Sequence, residues 1–202
     1  MQIDFRDVLK DRHRWALQHK QMGGLVMGCY SAMLPEELMW SCGVLPVQFL
    51  MSPGPYYGES LSYLPPYVCD CSRSMLEDYM NGTYGYLDGL MFSHVCETVR
   101  GLAGICSVRW PDRFVRIFTA PAGNDPGARR YLKAELLSLA KELEHMGGVP
   151  LSEERLQAAI SVYNENRGLV SELYRVRGQN AGAVEPAQVL SAVMASSIMP
   201  KD

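Results

Sequence analysis

All six cysteines (Cys29, Cys42, Cys69, Cys71, Cys96 and Cys106) lie between residues 21 and 125, and none follows Cys106 in the 202-residue chain. That stretch also holds ten acidic residues, five arginines and no lysine. In a chain with no secretory features, thiols gathered in one segment point to metal or redox chemistry more than to disulfides. The densest groupings are Cys69-Asp70-Cys71 and His94-Val95-Cys96. Spacing alone leaves the metal open. Cys-x-Cys is not the Cys-x2-Cys pair of a zinc ribbon, and no Cys-x2-Cys-x2-Cys run of a bacterial ferredoxin is present. Cys42 and Cys106 also suit small buried hydrophobes.

Other chemistries find no support. The sequence has no Walker A loop, no G-x-G-x-x-G, no G-x-S-x-G and no H-E-x-x-H. A Cys96/His94 nucleophile pair is disfavoured, because side chains two apart on a helix do not face each other. The net charge of −3 comes without a basic block or a basic–aromatic stripe, which argues against a nucleic-acid partner. Apolar residues at 48% and charged residues at 20% exclude a disordered chain and a coiled coil. No run of 18 apolar residues occurs, and the N-terminal MQIDFRDVLKDRHRWALQHK is charged where a signal peptide is apolar. The expectation is a cytoplasmic protein with no membrane partner.

The elements that must position these thiols follow from periodicity. Residues 1–20 read as one amphipathic helix, with Phe5, Val8, Leu9 and Ala16 near one face. LVMG (25–28) reads as a strand ending at Gly28-Cys29. Pro35 opens a helix with Glu36 and Glu37 at its positive end, and Gly43 closes it. VLPVQFL (44–50) is a second strand. Residues 51–68 form a long Pro/Tyr/Gly loop of the kind that is often functional. SRSMLEDYMNG gives a helix, LDGLMFS (87–93) a third strand, His94–Ile105 a helix and FVRIFTA (114–120) a fourth strand. This alternation predicts an α/β fold with a parallel, doubly wound sheet of about four strands. From Pro126 onward the pattern is helical only, with Gly147-Gly148 closing one helix, Ser152 capping the next and Pro186 opening a third.

Open parallel sheets bind ligands beyond the carboxyl ends of their strands. Cys29 is expected there after strand one, the Cys69–Cys71 loop after strand two, and His94–Cys96 after strand three. Cys71 and Cys96 also fall at helix N-termini, where the helix dipole and free N–H groups favour a thiolate.

Four segments resemble the benzoyl-CoA reductase / 2-hydroxyacyl-CoA dehydratase family: PEELMWSCGVLPVQF (35–49), CSRSMLE (71–77), YLDGLMFSHVCETVRGL (86–102) and SEERLQAAISVYNENRGLVSELYRVR (152–177). They come in the family's order and spacing, and the block around His94, Cys96, Glu97 and Arg100 is the most specific. The resemblance implies a [4Fe–4S] cluster with one site left open and a heterodimer with a homologous subunit. It further implies an ATP-hydrolysing iron–sulfur activator and an acyl-CoA substrate processed through a ketyl-type radical. Residue by residue, Cys71 and Cys96 match the first two cluster ligands, with Cys69 as an extra thiol that competes with Cys71. His94 then stands as a donor near the cluster and Glu37 (or Glu36) as a proton acceptor. Arg73 and Arg100 stand as groups for a CoA phosphate or a carboxylate.

The chain departs from the family pattern in two places. Met33 stands where the family often has an aromatic residue, two before Pro-Glu-Glu. The family's second α/β domain, which supplies a further cysteine, is expected to be absent, leaving a helix at 1–23, an α/β domain at 24–125 and a helical segment at 126–202. The leading expectation is the iron–sulfur subunit of an ATP-dependent acyl-CoA reductase. A 2-hydroxyacyl-CoA dehydratase subunit, a non-catalytic assembly module and a zinc protein are the competitors.

Overall fold

The computed structural model describes residues 4–52, 54, 58–180 and 182–201. Four short apolar runs pair as a parallel sheet: β1 (Leu25–Tyr30), β2 (Val44–Gln48), β3 (Gly89–Ser93) and β4 (Phe114–Phe118), in the order β2-β1-β3-β4. Every strand pair is parallel, so each connection must cross over, and helices supply the crossovers. Chain direction across the sheet reverses between β1 and β3. There the crossovers leave toward opposite sides and open a crevice at the strands' C-terminal ends.

Alternation along β1 separates two cores. Met27 and Cys29 face α3 (Glu36–Ser41) and α6 (Pro126–His145), packing with Leu38, Met39, Leu139 and Leu143. Val26 and Tyr30 face the other way, toward α4 (Asp70–Met80) and α5 (Glu97–Arg109), with Met75, Leu76, Leu102 and Phe92. Phe92, Leu90 and Leu102 are completely buried, each contributing roughly 1.5–3 kcal/mol of apolar transfer energy. Two N-terminal helices, α1 (Phe5–Lys10) and α2 (Arg14–Gln21), reach this second core through Val8 and Ala16. The last helix, α8 (Pro186–Ser196), reaches it through Ala195.

Helix ends follow the expected chemistry. Gly43 has a φ of 75°, in the left-handed region glycine tolerates, just past the end of α3. A Cβ at Gly148 would lie 2.7 Å from the carbonyl oxygens of Cys42 and Leu143, so only glycine lets α6 end against α3. Ser152 caps α7 (Glu153–Gln179) by accepting from the N–H of Arg155 at 3.2 Å.

Three boundaries differ from expectation. The N-terminal helix is interrupted at residues 11–13, because Arg12 donates to Leu50 O and Ser52 Oγ while His13 pairs with the Tyr86 hydroxyl. These tertiary bonds outweigh local helix propensity. The first strand runs on to Tyr30, which places Cys29 inside the sheet, fully buried, instead of at its ligand edge. The helix expected from His94 starts at Glu97, so His94 and Val95 lie in the preceding loop. Within the 51–68 loop, Glu59–Ser62 forms a 3-10 turn, and residues 53 and 55–57 lie outside the described residues.

Candidate functional site

The cysteines sort into two populations. Cys29, Cys42 and Cys106 are buried, whereas Cys69, Cys71 and Cys96 are exposed. Burial pushes the Cys106 thiol up to about 12, raises Cys29 well above its ordinary range and raises Cys42 as well. These three thiols stay protonated and behave as core residues.

The exposed three sit at the C-terminal edge of the sheet. Cys69 is the N-cap of α4 and Cys71 lies in its first turn. Cys96 is the N-cap of α5. Neither N-cap thiol hydrogen-bonds a backbone N–H of its own helix, so the positive ends of α4 and α5 face the site. The Tyr30 hydroxyl, at the end of β1, lies where all three sulfurs act on it. Its pKa is raised to about 12, chiefly by burial, which outweighs the lowering by its hydrogen bond with Ser72; the neighbouring Cys69, Cys71 and Cys96 act in the raising direction as smaller causes. The phenol is therefore neutral under ordinary conditions. Its partner is Ser72 Oγ at 2.9 Å, and Ser72 Oγ lies 3.3 Å from Cys69 Sγ.

Supporting contacts fix the approach to α4. Arg73 is mostly buried and donates to Val68 O at 2.6 and 3.1 Å and to Pro66 O at 2.9 Å, which holds the chain just ahead of Cys69. Ser52 Oγ donates to buried Asp78 at 2.5 Å, and Ser52 N donates to Ser74 Oγ at 2.9 Å. Arg12 completes this network, 3.8 Å from Asp78. Its consequence is the placement of Met51, whose sulfur lies 4.0 Å from Cys71 Sγ. Immediately after β1, Ser31 and Met33 hold φ values of 77° and 65°, left-handed conformations that non-glycine residues rarely keep outside constrained sites.

The other expected site residues disperse around this edge. His94 is exposed, 3.4 Å from Glu97 Oε1, and Arg100 is exposed, 2.6 Å from Glu97 Oε2. These hydrogen bonds, Arg100's first and His94's second, hold the Glu97 carboxyl below its ordinary range. Glu36 accepts from Gln48 Nε2 at 2.9 Å, and Glu37 is ion-paired with Arg167 of α7. Arg73 is engaged within its own loop. Its Nε and Nη2 donate to loop carbonyls and Nη2 also lies 3.4 Å from Asp70 Oδ1, so it braces the Cys69 loop. Tyr30, Ser72 and Met51 are site residues that composition and motif did not single out. Alternation along β1 carried a signal for Tyr30, and the three-residue step from Cys69 carried one for Ser72.

As donors, the exposed thiols form a soft set at one edge, the type that iron–sulfur clusters take. Among the described residues, no group of three or more His, Cys, Asp or Glu stands close enough to hold a single metal ion. None of the described helices is long and apolar enough to cross a membrane.

Comparison with known proteins gives the family. The family model for the 2-hydroxyglutaryl-CoA dehydratase D-component matches residues 31–202, which takes in all three exposed cysteines. One of the benzoyl-CoA reductase subunits of Thauera aromatica is 31% identical over 174 residues, covering 83% of this chain and 44% of the relative. The beta subunit of lactoyl-CoA dehydratase from Anaerotignum propionicum is 30% identical over 170 residues, covering 83% of this chain and 42% of the relative. The beta subunit of (R)-2-hydroxyglutaryl-CoA dehydratase from Acidaminococcus fermentans is 26% identical over 202 residues, covering 98% of this chain and 53% of the relative. The chain thus spans about half the length of the curated relatives it matches, and those relatives are named as subunits of reductases and dehydratases. With its parallel sheet, its thiol-bearing helix N-termini and a family match across most of its length, the chain belongs to the 2-hydroxyglutaryl-CoA dehydratase D-component family, whose relatives include benzoyl-CoA reductase and 2-hydroxyacyl-CoA dehydratase subunits.

Proposed function

We propose that the chain is the iron–sulfur subunit of an ATP-dependent acyl-CoA reductase of the benzoyl-CoA reductase type, working in the cytoplasm beside a homologous subunit. The observation that carries this reading is the division of the cysteines. Three are sealed in the core, while Cys69, Cys71 and Cys96 are exposed where the sheet's direction reverses. Cys71 and Cys96 hold a [4Fe–4S] cluster, with Cys69 beside them. When bound, the cluster supplies single low-potential electrons to a CoA thioester, delivered by an ATP-hydrolysing iron–sulfur activator.

The chain's own residues prepare the site. The N-termini of α4 and α5 offset the cluster's negative charge. Met51 shields one side of Cys71. Arg100, exposed at the α5 end, is placed to meet a CoA phosphate or a carboxylate, with Glu97 competing for its guanidinium. Glu37, in the first turn of α3 and ion-paired with Arg167, is the proton acceptor of the dehydratase alternative below, in which the substrate gives up a proton as water leaves; reduction itself adds protons. His94 steadies Glu97 at the same rim.

A second reading is favoured by the family's own name and by the dehydratase relatives: a 2-hydroxyacyl-CoA dehydratase subunit. Product and electron counting separate the two. The chain, assembled anaerobically with its homologous subunit, activator and ATP, is offered benzoyl-CoA and 2-hydroxyacyl-CoA thioesters. Reduction consumes two electrons from the donor per product, whereas loss of water is redox-neutral overall. The reductase reading expects stoichiometric electron consumption with benzoyl-CoA. Water loss from a 2-hydroxyacyl-CoA with no net electron consumption establishes the alternative, and no turnover of either thioester overturns both.

A further inference from the structure

Arg12 and His13, the residues that interrupt the N-terminal helix, bond to each other as well as to the core. Arg12 Nε donates to His13 Nε2 at 3.2 Å, and His13 Nδ1 lies 3.0 Å from the Tyr86 hydroxyl. The other donors of Arg12 reach residues 50 and 52. Nη1 donates to Leu50 O at 3.1 Å and Nη2 to Ser52 Oγ at 2.6 Å. Between these two anchors stands Met51, its sulfur 4.0 Å from Cys71 Sγ. One guanidinium thus joins a histidine to the short strap that carries Met51 to the thiol edge.

These contacts fix the tautomer. A guanidinium N–H donates and never accepts, so Nε2 of His13 must offer its lone pair. The single proton of the neutral ring then sits on Nδ1 and is donated to the Tyr86 oxygen. A second proton can enter only at Nε2. It would set one N–H against another and bring two positive groups into contact at 3.2 Å.

The repulsion falls on Arg12. The protonated ring keeps its Nδ1–H bond to Tyr86 and its edge-on packing against Tyr84 and Tyr86. The ion pair between Arg12 and Asp78 of α4 is long, at 3.8 Å, and leaves the guanidinium room to withdraw. The groups facing the ring are Arg12 and Asp11 on its own segment, Asp78 from α4, and Tyr84 and Tyr86 from the segment before β3, both kept neutral by burial. Burial and Arg12 oppose the proton, while the two aspartates favour it.

We propose that His13 is a proton-operated latch: when neutral it holds Arg12 on Leu50 and Ser52 and keeps Met51 beside Cys71, and when protonated it repels Arg12 and frees residues 50–52. Both are positioning residues, Arg12 acting through the strap and His13 acting through Arg12. The latch belongs to the fold and does not depend on what the thiols bind.

The test follows the intact chain by nuclear magnetic resonance from about pH 8 down to about pH 5. The reporter is the Ser52 amide, which donates to Ser74 Oγ at 2.9 Å. The reference is the Phe49 amide, which donates to Cys29 O at 3.0 Å. The latch predicts the Nδ1–H tautomer of His13 at the upper end. On acidification, with exchange corrected for its intrinsic pH dependence, Ser52 loses protection by roughly tenfold per pH unit over the interval in which only the open strap binds the proton. Phe49 and the β3 amides keep theirs. In His13→Gln, whose side-chain carbonyl can accept from Arg12 but takes up no proton, Ser52 stays protected throughout. In Arg12→Gln it is unprotected at every pH. The Nε2–H tautomer in the wild type overturns the latch, and that reading needs no variant to fold. Ser52 protection that ignores pH, or that falls equally in His13→Gln, overturns it as well. So does loss of protection at Phe49 and β3 in step with Ser52, which is global unfolding.

Discussion

Glu37 and Arg167 stand 130 residues apart in the chain and form an ion pair that ties the first turn of α3 to the middle of α7. The Arg167 guanidinium also lies 5.9 Å from the ring centre of Tyr163, which is buried under the same helix. The Tyr-Asn-x-x-Arg sequence of α7 is thereby explained as a clamp on the segment that follows β1.

This pair gives the first prediction. Arg167 is 56% exposed, so solvent screens most of the attraction. Glu37→Gln is expected to cost less than about 1 kcal/mol in urea unfolding, in keeping with exposed ion pairs. As the proton acceptor of the dehydratase alternative, Glu37 is expected to carry far more of the turnover of a 2-hydroxyacyl-CoA. The same variant should lower acyl-CoA conversion at least tenfold. Wild-type turnover in the folded variant would assign Glu37 a purely structural role.

The Asp78 network predicts the opposite balance. Asp78 is buried, accepts from Ser52 and faces Arg12, whose side chain is only 19% exposed. Asp78→Ala leaves the arginine charge uncompensated, at a cost of about 3 kcal/mol, visible as a lowered thermal midpoint. It also frees Met51 from Cys71, so hydrogen exchange should rise across residues 49–52.

Arg73 is expected to act on the loop before α4. Arg73→Ala removes charged hydrogen bonds to Pro66 and Val68, worth about 2 kcal/mol in total stability. Faster amide exchange at residues 66–70 would follow, and an unchanged exchange rate there would contradict the assignment.

A pH effect follows from His13. Burial lowers its pKa from the ordinary 6.5, and the neighbouring Arg12 lowers it further. The ring is packed edge-on against Tyr84 at 5.0 Å and Tyr86 at 5.7 Å. Above pH 6.5 the imidazole is neutral in both states and folding is unaffected. As pH falls below 6.5, the unfolded chain binds the proton first, so stability declines until the folded value is passed. The urea midpoint should fall over this window, and the component due to residue 13 should vanish in His13→Gln.

Much of this architecture was legible in the sequence because short apolar runs alternated with capped helices. All four strands, the glycine ends of α3 and α6 and the Ser152 cap stand close to where periodicity and turn chemistry place them. The misplacements have one cause, long-range contact. Arg12 and His13 break the first helix through bonds to residues around 50 and 86, which no local pattern encodes. Cys29 is taken into the sheet because β1 pairs up to Tyr30. At the site, the clustering of thiols marked Cys69, Cys71 and Cys96. Tyr30 and Ser72 were invisible because their significance lies in one hydrogen bond between a strand end and a helix start. The bracing of the Cys69 loop by Arg73 Nε and Nη2 was likewise invisible, because it depends on where the Pro66 and Val68 carbonyls point.

The most direct test of the central claim is the iron and acid-labile sulfide content of strictly anaerobic protein, co-expressed with its homologous subunit. It is measured beside the Cys71→Ser/Cys96→Ser double variant. The account predicts about four irons and about four sulfides per chain in the wild type, the composition of one [4Fe–4S] cluster, and their loss in the folded double variant. Iron near zero in both, or the same iron in both, would contradict it.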